Sequence, residues 1–394
     1  MGVRGHTAGF GMIELEVGLG NRSYPIVIGS GVLKSSDWWS AHAPEAVVAV
    51  ITDENVSPLY APVLSNILEQ LGKRVVKVVL PAGESSKSWQ MLDRLFDQLL
   101  AAHCDRDSLV VALGGGVMGD LAGFAAATYL RGVPLIQVPT TLLAQVDSSV
   151  GGKNGINHQR GKNMIGTFYQ PRAVLIDVDT LNTLPPREVV AGLAEVIKHG
   201  AIADASYFAW LEDNLDSLLK REPEALVEAI RGSCAIKARV VAADEREAGI
   251  RAILNFGHTF AHAIETGLGY GFWLHGEAVG CGMVQATRLS MQTEGFDAEQ
   301  ALRLSTLIER AGLPMFAPDF GRERWLELMA LDKKVKDGAM RFVVLEAIGK
   351  ARLRTVPAGV LARVLEQTAT LNVGALLRGI PPNAGLHQRS KASA

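Results

Sequence analysis

Leu109-Val-Val-Ala-Leu-Gly-Gly-Gly-Val-Met-Gly119 decides the fold. Its apolar run Leu109–Leu113 reads as a strand that leads straight into a glycine turn and a helix. Gly114, Gly115, Gly116 and Gly119 follow at G-x-G-x-x-G spacing. Glycines there let a chain turn from strand into helix and let a phosphate approach backbone amides at the helix N-terminus. The same pattern also serves as a plain tight turn. The carboxylate that grips a ribose about twenty positions further on in dinucleotide-binding turns is missing. The next strand ends instead in Pro139-Thr-Thr141, and an earlier one in Thr52-Asp-Glu-Asn55. Asp53 could therefore reach a ribose from a neighbouring strand end, or be an ordinary turn carboxylate.

Working outward, strand-like runs at 46–51, 75–80, 135–138 and 173–176 alternate with helical stretches, the signature of an α/β domain. Past Leu184-Pro-Pro186 the alternation stops, and helical periodicity covers 187–199, 224–243, 259–266 and 276–291. These patterns predict an α/β domain over 1–180 and a helical domain over 181–371. The segment 372–394 turns polar and is expected to fray.

A chain of 394 residues, 48% of them hydrophobic, suits two cores better than one. A net charge of -2 gives no basic field for nucleic acid or an anionic membrane, so an anionic substrate must meet locally placed cations. Cys104, Cys234 and Cys281 are too scattered for a disulfide framework. With no apolar signal core or membrane-length run, a soluble cytoplasmic enzyme with a small-molecule substrate is expected.

Asn255-Phe-Gly-His-Thr-Phe-Ala-His-Ala-Ile-Glu265 and His275-Gly-Glu277 concentrate imidazoles and carboxylates in one region. On a helix, His258, His262 and Glu265 would share a face. Such a set suits zinc or proton transfer, although spacing alone does not choose the ligands. Two further groups carry charge. Asp147-Ser-Ser-Val-Gly-Gly-Lys153 and Gly161-Lys-Asn163 read as a glycine-rich polar loop whose lysines can hold anions. Glu195, Lys198, Lys237, Glu247 and Arg251 recur beside apolar helix positions, which suggests an interior polar cavity.

In order along the chain, these motifs resemble the 3-dehydroquinate synthase family. The resemblance runs from Thr52 to about Gly349, and rests on Pro81-Ala-Gly-Glu-Ser-Ser-Lys-Ser88, Leu113-Gly-Gly-Gly-Val-Met-Gly-Asp120, the stretch Gln137 through Lys153, Gly161-Lys-Asn163, Ala194-Glu-Val-Ile-Lys198, Asp244-Glu-Arg-Glu247, Asn255-Phe-Gly-His, His275-Gly-Glu and Asp332-Lys-Lys334. It implies a glycerol-dehydrogenase-like architecture, an α/β NAD-binding domain followed by an all-α metal-binding domain, with the active site in the cleft between them. It implies Glu195, His258 and His275 as ligands of a divalent metal, zinc first and cobalt as an alternative, with His262 left for proton transfer near Glu247. NAD would meet Asp53, Asn55, Glu84, Lys87, Gly114, Gly115, Gly116, Asp120, Thr140, Thr141 and Lys162. Substrate would meet Asp147, Lys153, Lys162, Asn163, Lys198, Lys237, Arg251, Asn255 and His262. Arg131 resembles a position that reaches phosphate from a partner subunit, which implies a homodimer.

The implied reaction turns 3-deoxy-D-arabino-heptulosonate 7-phosphate into 3-dehydroquinate and phosphate. An alcohol is oxidised, phosphate leaves, the hydride returns, and the opened ring closes by an aldol step, so NAD is not consumed. Glu247, His262 and Asn255 are the implied proton handlers, with Lys153, Lys162 and Arg251 neutralising the leaving group. Ala261, where the family usually has glycine, and His199, where an aromatic is commoner, are small departures. Alternatives are a sister sugar-phosphate cyclase, a metal-dependent polyol dehydrogenase, or a silent NAD-binding scaffold.

Overall fold

A computed structural model describes residues 12–330, 335–336, 339–367 and 370–371. By packing, the chain divides into two compact units, Met1–Pro185 with Arg221–Arg246, and Pro186–Lys220 with Glu247–Ala394. The expectations for Asp332-Lys-Lys334 and for the segment 372–394 lie outside the described residues.

The first unit contains β1 (Ile13–Val17), β2 (Tyr24–Gly29), β3 (Val47–Asp53), β4 (Arg74–Leu80), β5 (Leu109–Gly114), β6 (Leu135–Pro139), β7 (Lys153–His158), β8 (Gly161–Phe168) and β9 (Ala173–Asp177). All but β7 and β8 form one sheet, ordered β1-β2-β9-β6-β5-β3-β4. Only β1 runs antiparallel to its neighbour. Alternate residues of each central strand enter opposite cores. Val48, Val50, Leu109, Val111 and Leu113 pack under α1 (Ser36–His42) and α2 (Ser57–Gln70). Ala49, Ile51, Val110 and Ala112 pack under α3 (Trp89–Ala101) and α4 (Gly116–Thr128). Burial on both faces is why β5 needs an unbroken apolar run.

From β3 the chain steps outward to β4, then crosses back to β5 and continues to β6. The order therefore reverses between β3 and β5, and in open parallel sheets ligands bind beyond the strand ends at such a point. The stretch 147–163, expected to be a polar loop, is instead a π-helical turn at Ala144–Ser148 leading into the β7–β8 hairpin. Gly155 serves close strand pairing: a Cβ on it would lie 2.4 Å from the Ile165 carbonyl oxygen.

After α5 (Pro186–Ala203) and α6 (Ala205–Leu219) in the second unit, the chain returns to the first as α7 (Pro223–Ala243), which packs against β1 and β2. Arg221 donates to the carbonyls of Leu181 and Asn182, at 2.8 and 3.1 Å, at the start of this return. A boundary near residue 180 puts this helix in the second domain. Helical periodicity identifies the face that is buried, but not the element that buries it.

The second unit also holds α8 (His258–Leu268), α9 (His275–Glu294), α10 (Ala298–Arg310), α11 (Arg322–Ala330) and α12 (Ala358–Gln367). It is helical, and adds to the all-α expectation an antiparallel hairpin of Ala339–Ala347 with Lys350–Val356. The central helix is α9, buried continuously from Gly276 to Thr287. Glycine lets two neighbours approach it. A Cβ on Gly276 would lie 1.8 Å from the Ala191 carbonyl oxygen of α5, and one on Gly282 would lie 2.3 Å from the Gly257 carbonyl oxygen just before α8. No helix among the described residues is long and apolar enough to cross a membrane.

Candidate active site

Those close approaches set three side chains against one another. Glu195 lies one turn beyond Ala191 on α5, His258 opens α8, and His275 opens α9. The Glu195 Oε1 atom is 3.7 Å from His258 Nε2 and 3.8 Å from His275 Nε2. Metal bonds of about 2.0–2.1 Å put the donor atoms of a tetrahedral site about 3.4 Å apart, so a divalent ion fits with modest tightening. The other ring nitrogens are engaged as ligation requires: His258 Nδ1 lies 3.2 Å from the Phe256 carbonyl, and His275 Nδ1 3.3 Å from both Glu265 oxygens. With the proton on each Nδ1, both rings would donate outward and leave their Nε2 lone pairs toward Glu195, the tautomer that ligation needs. Glu195 itself is fully buried, and a buried carboxylate without a compensating cation is costly. Lys198 Nζ pairs with its Oε2.

His262 stands beside this triad and outside it. Its ring lies 5.7 Å from that of His258 and 6.3 Å from that of His275, between centroids. Glu195, His258 and His275 make a compact donor set among the described residues without it. Asn255 Nδ2 donates to Glu247 Oε1 at 2.7 Å, and Glu247 adopts a left-handed backbone conformation, φ +57°. Arg251 is buried, at 2% exposure, in the 3-10 turn Ile250–Asn255.

Arg187, which the motifs did not single out, and Glu277 complete the surroundings. Arg187 of α5 forks onto Glu277 of α9 through Nε and Nη2, at 2.6 and 2.7 Å. Glu277 Oε2 also accepts the Leu274 N–H, capping α9. In His275-Gly-Glu277, then, the histidine is one of the three donors, the glycine admits α5, and the glutamate locks the helix start. Glu265 did carry a sequence signal, its helical spacing from His258. Arg187 carried none.

The first unit gathers the nucleotide candidates at the sheet's reversal point. Gly114 ends β5 beside Asp53 at the end of β3, and a Cβ there would lie 3.4 Å from Asp53 Oδ2. The opposite oxygen, Oδ1, accepts the Asn55 and Val56 N–H groups at 2.9 and 3.0 Å, so Asp53 is also a turn carboxylate. Gly115 packs on Thr141, and Gly116 on Ser148. Gly119 lies against Gln137, whose Nε2 donates to its carbonyl at 3.1 Å. The Thr140 hydroxyl is buried with no hydrogen-bond partner among the described residues, so it can bond a ligand oxygen. These features fit a dinucleotide.

Beside this turn lies a polar network. Lys87, 3% exposed, pairs with Asp120 at 2.5 Å and donates to Asn163 Oδ1. Burial raises the Asp120 carboxyl above its ordinary value, and the Lys87 charge opposes that rise. Asn157, which sequence reading missed, joins the set by donating to Glu84 Oε1 at 2.8 Å and accepting the Asn163 N–H at 2.8 Å. Lys162 Nζ lies 4.0 Å from Glu84. Asn163 and Lys162 therefore sit among the expected cofactor residues. Asp147 is held by Lys237 at 2.6 Å, and Lys153 opens β7 with an exposed side chain. Arg131 is exposed in the 3-10 turn Tyr129–Arg131 that follows α4, and α4 itself rises about 20 Å from its glycine-rich start to its end.

Two family models match consecutive parts of the chain, 3-dehydroquinate synthase N-terminal over 77–191 and C-terminal over 192–335. The chain belongs to the 3-dehydroquinate synthase family. Structures of other sugar phosphate cyclases superpose on this family member. A 2-deoxy-scyllo-inosose synthase complexed with carbaglucose-6-phosphate, NAD+ and Co2+ is 26% identical, with a TM-score of 0.83, covering 90% of this chain and 100% of its own. The 2-epi-5-epi-valiolone synthase from Streptomyces hygroscopicus subsp. jinggangensis 5008, with NAD+ and Zn2+ bound, is 27% identical, with a TM-score of 0.80, over 90% and 96% of the two chains. Glycerol dehydrogenase from Schizosaccharomyces pombe, 16% identical with a TM-score of 0.65 over 90% and 89%, shares the fold. This 3-dehydroquinate synthase family chain is accordingly an enzyme of the sugar phosphate cyclase type.

Proposed function

We propose that the chain is a 3-dehydroquinate synthase, converting 3-deoxy-D-arabino-heptulosonate 7-phosphate to 3-dehydroquinate and phosphate with catalytic NAD and a divalent metal, zinc in first place. The observation that carries this reading is the Glu195–His258–His275 triad, both Nε2 atoms turned to one oxygen of a fully buried carboxylate, in a chain matched by both family models. Bound NAD supplies a hydride acceptor that later becomes the donor, and a bound metal acidifies the alcohol to be oxidised.

The chain's residues do the rest. Asp53, Asn55, Glu84, Lys87, Gly114, Gly115, Gly116, Asp120, Thr140, Thr141 and Lys162 hold the dinucleotide, the glycines by leaving room for its phosphates. Glu247, hydrogen-bonded to Asn255, and His262 beside the triad move protons. Lys153, Lys162, Asn163, Lys198, Lys237 and Asp147 bind substrate polar groups. Arg251 supplies a planar fork for a carboxylate or phosphate. A substrate carrying a carboxylate as well as a phosphate would call on the extra cationic and amide contacts of Arg251, Asn163 and His262. The reading extends to a cytoplasmic homodimer in which Arg131 reaches the phosphate bound by the partner copy.

The second reading, a sister cyclase, draws on the likeness to 2-deoxy-scyllo-inosose synthase. An assay of inorganic phosphate release separates them. Release from the heptulosonate phosphate, with NAD required and no net NADH formed, is expected. Release from glucose 6-phosphate alone would select the sister activity, and net NADH from a polyol would select a dehydrogenase. Glu195→Gln is expected to lose metal affinity by more than about 100-fold, beyond the about 10- to 100-fold typical of an outer partner, together with turnover. Full activity with wild-type metal content in that variant would remove the triad from the reading.

A further inference from the structure

The buried carboxylate of Glu265 is unaccounted for by the ligand set and by the proton-handling residues. It lies near the end of α8, 5% exposed, two turns beyond His258 on the same helix. Both of its oxygens are 3.3 Å from His275 Nδ1, across the ring from the Nε2 atom that faces Glu195. The two ring nitrogens point in diverging directions, so a carboxylate at Nδ1 cannot ligate an ion held at Nε2. We propose that Glu265 is a positioning residue for the metal centre: it fixes the His275 ring in the tautomer that carries its lone pair at Nε2, and raises that nitrogen's affinity for the ion.

The arrangement gives α8 two functions at one centre, His258 at its first turn as a ligand and Glu265 in its third turn as the orienting anion for a ligand from α9. His258 is oriented differently, by the backbone carbonyl of Phe256. A carboxylate polarises an imidazole more strongly than a carbonyl does, so of the two histidines His275 has the more electron-rich donor. His275 also has the more exposed side chain, 27% against 10% for His258. A ring at a helix start, with less packing around it, depends more on a fixed polar partner to hold its rotamer and tautomer.

This inference rests on the metal triad of the proposed function, and metal binding is measured directly so that the two can fail separately. Metal-stripped wild type, Glu265→Gln and Glu265→Leu are titrated with Zn2+ against a chromophoric chelator. The Co2+ forms are compared by their d–d absorption, and NAD affinity and circular dichroism are recorded alongside. Expected are a weakening of Zn2+ affinity by about 10- to 100-fold in Glu265→Leu, a smaller loss in Glu265→Gln, whose amide oxygen still accepts, a shifted Co2+ spectrum in both, and unchanged NAD affinity. A folded Glu265→Leu with wild-type Zn2+ affinity and Co2+ spectrum overturns the proposal. Should Glu265→Leu not fold, Glu265→Gln decides, and affinity within about twofold of wild type with an unshifted spectrum overturns it. If wild type itself binds no metal tightly while the fold is intact, the triad reading fails first.

Discussion

At the residue scale, Lys87 shows how a polar site is kept stable before any ligand arrives. Its ammonium is almost fully buried against Asp120, whose side chain is 17% exposed. Lys87→Met leaves that carboxylate without its cation, and removing one partner of a buried pair costs about 3 kcal/mol, somewhat less here because Asp120 keeps some contact with water. The sign with pH follows from the direction of the shift. Burial already holds the Asp120 carboxyl above its ordinary value, and without Lys87 it rises further. The penalty is therefore fully expressed above that raised value and shrinks as pH falls through it, once the carboxyl is neutral. Urea unfolding at neutral and acidic pH checks this, the expected result being a gap from wild type that narrows in acid. Equal gaps at both pH values would mean that Asp120 is not the group left unpaired. The variant is also expected to bind NAD more weakly.

At the element scale, the metal triad depends on how closely α9 meets its neighbours. Gly276→Ala would place a methyl 1.8 Å from a backbone oxygen of α5, and a backbone oxygen cannot rotate away as a side chain can. Overpacking of this kind costs about 1–3 kcal/mol or more, and the displaced α9 carries His275 with it. Lower thermal stability and weaker Zn2+ binding are expected together. A variant that loses stability while keeping wild-type metal affinity would show that the ligand geometry does not depend on this contact. The same scale shows what was legible in the sequence. Strands β3, β5, β6 and β9 announced themselves because burial on both faces demands continuous apolar runs, edge strand β4 through its β-branched residues despite Lys77, and α5, α7, α8 and α9 because their periodicity is long. The β7–β8 hairpin did not, since glycines that permit close strand pairing read as loop residues. Helical spacing put His262 on the same face as His258, which the structure shows as neighbouring rings, but choosing Glu195 and His275 as the other donors required the family resemblance. The three donors come from three helices, and Glu195 on α5 is remote in sequence from the histidines of α8 and α9, so no local pattern encodes their meeting.

At the scale of the whole molecule, the chain leaves the first unit at Pro185 and re-enters it at Arg221. Residues 1–185 alone would leave β1 and β2 without α7, their packing partner. Because Arg221 is hydrogen-bonded to Leu181 and Asn182, a short glycine-serine linker from Pro185 to Arg221 can restore that helix. The bridged fragment, ending at Arg246, is expected to be soluble, to unfold cooperatively and to bind NAD, whereas residues 1–185 are expected to aggregate. Equal solubility and NAD affinity for both fragments would show that α7 is dispensable to this core. Periodicity could not reveal this membership, since an amphipathic helix fits any apolar surface of the right width.

The return of α7 also bears on inheritance. A single recombination point within the coding stretch for α5 or α6 would join the sheet of one parent to the covering helix of another, so that β1 and β2 meet a helix that did not evolve beside them. Viable hybrids between related cyclases should therefore need paired exchanges, one on each side of residues 186–220, and the gene behaves here as an insertion carried inside a host.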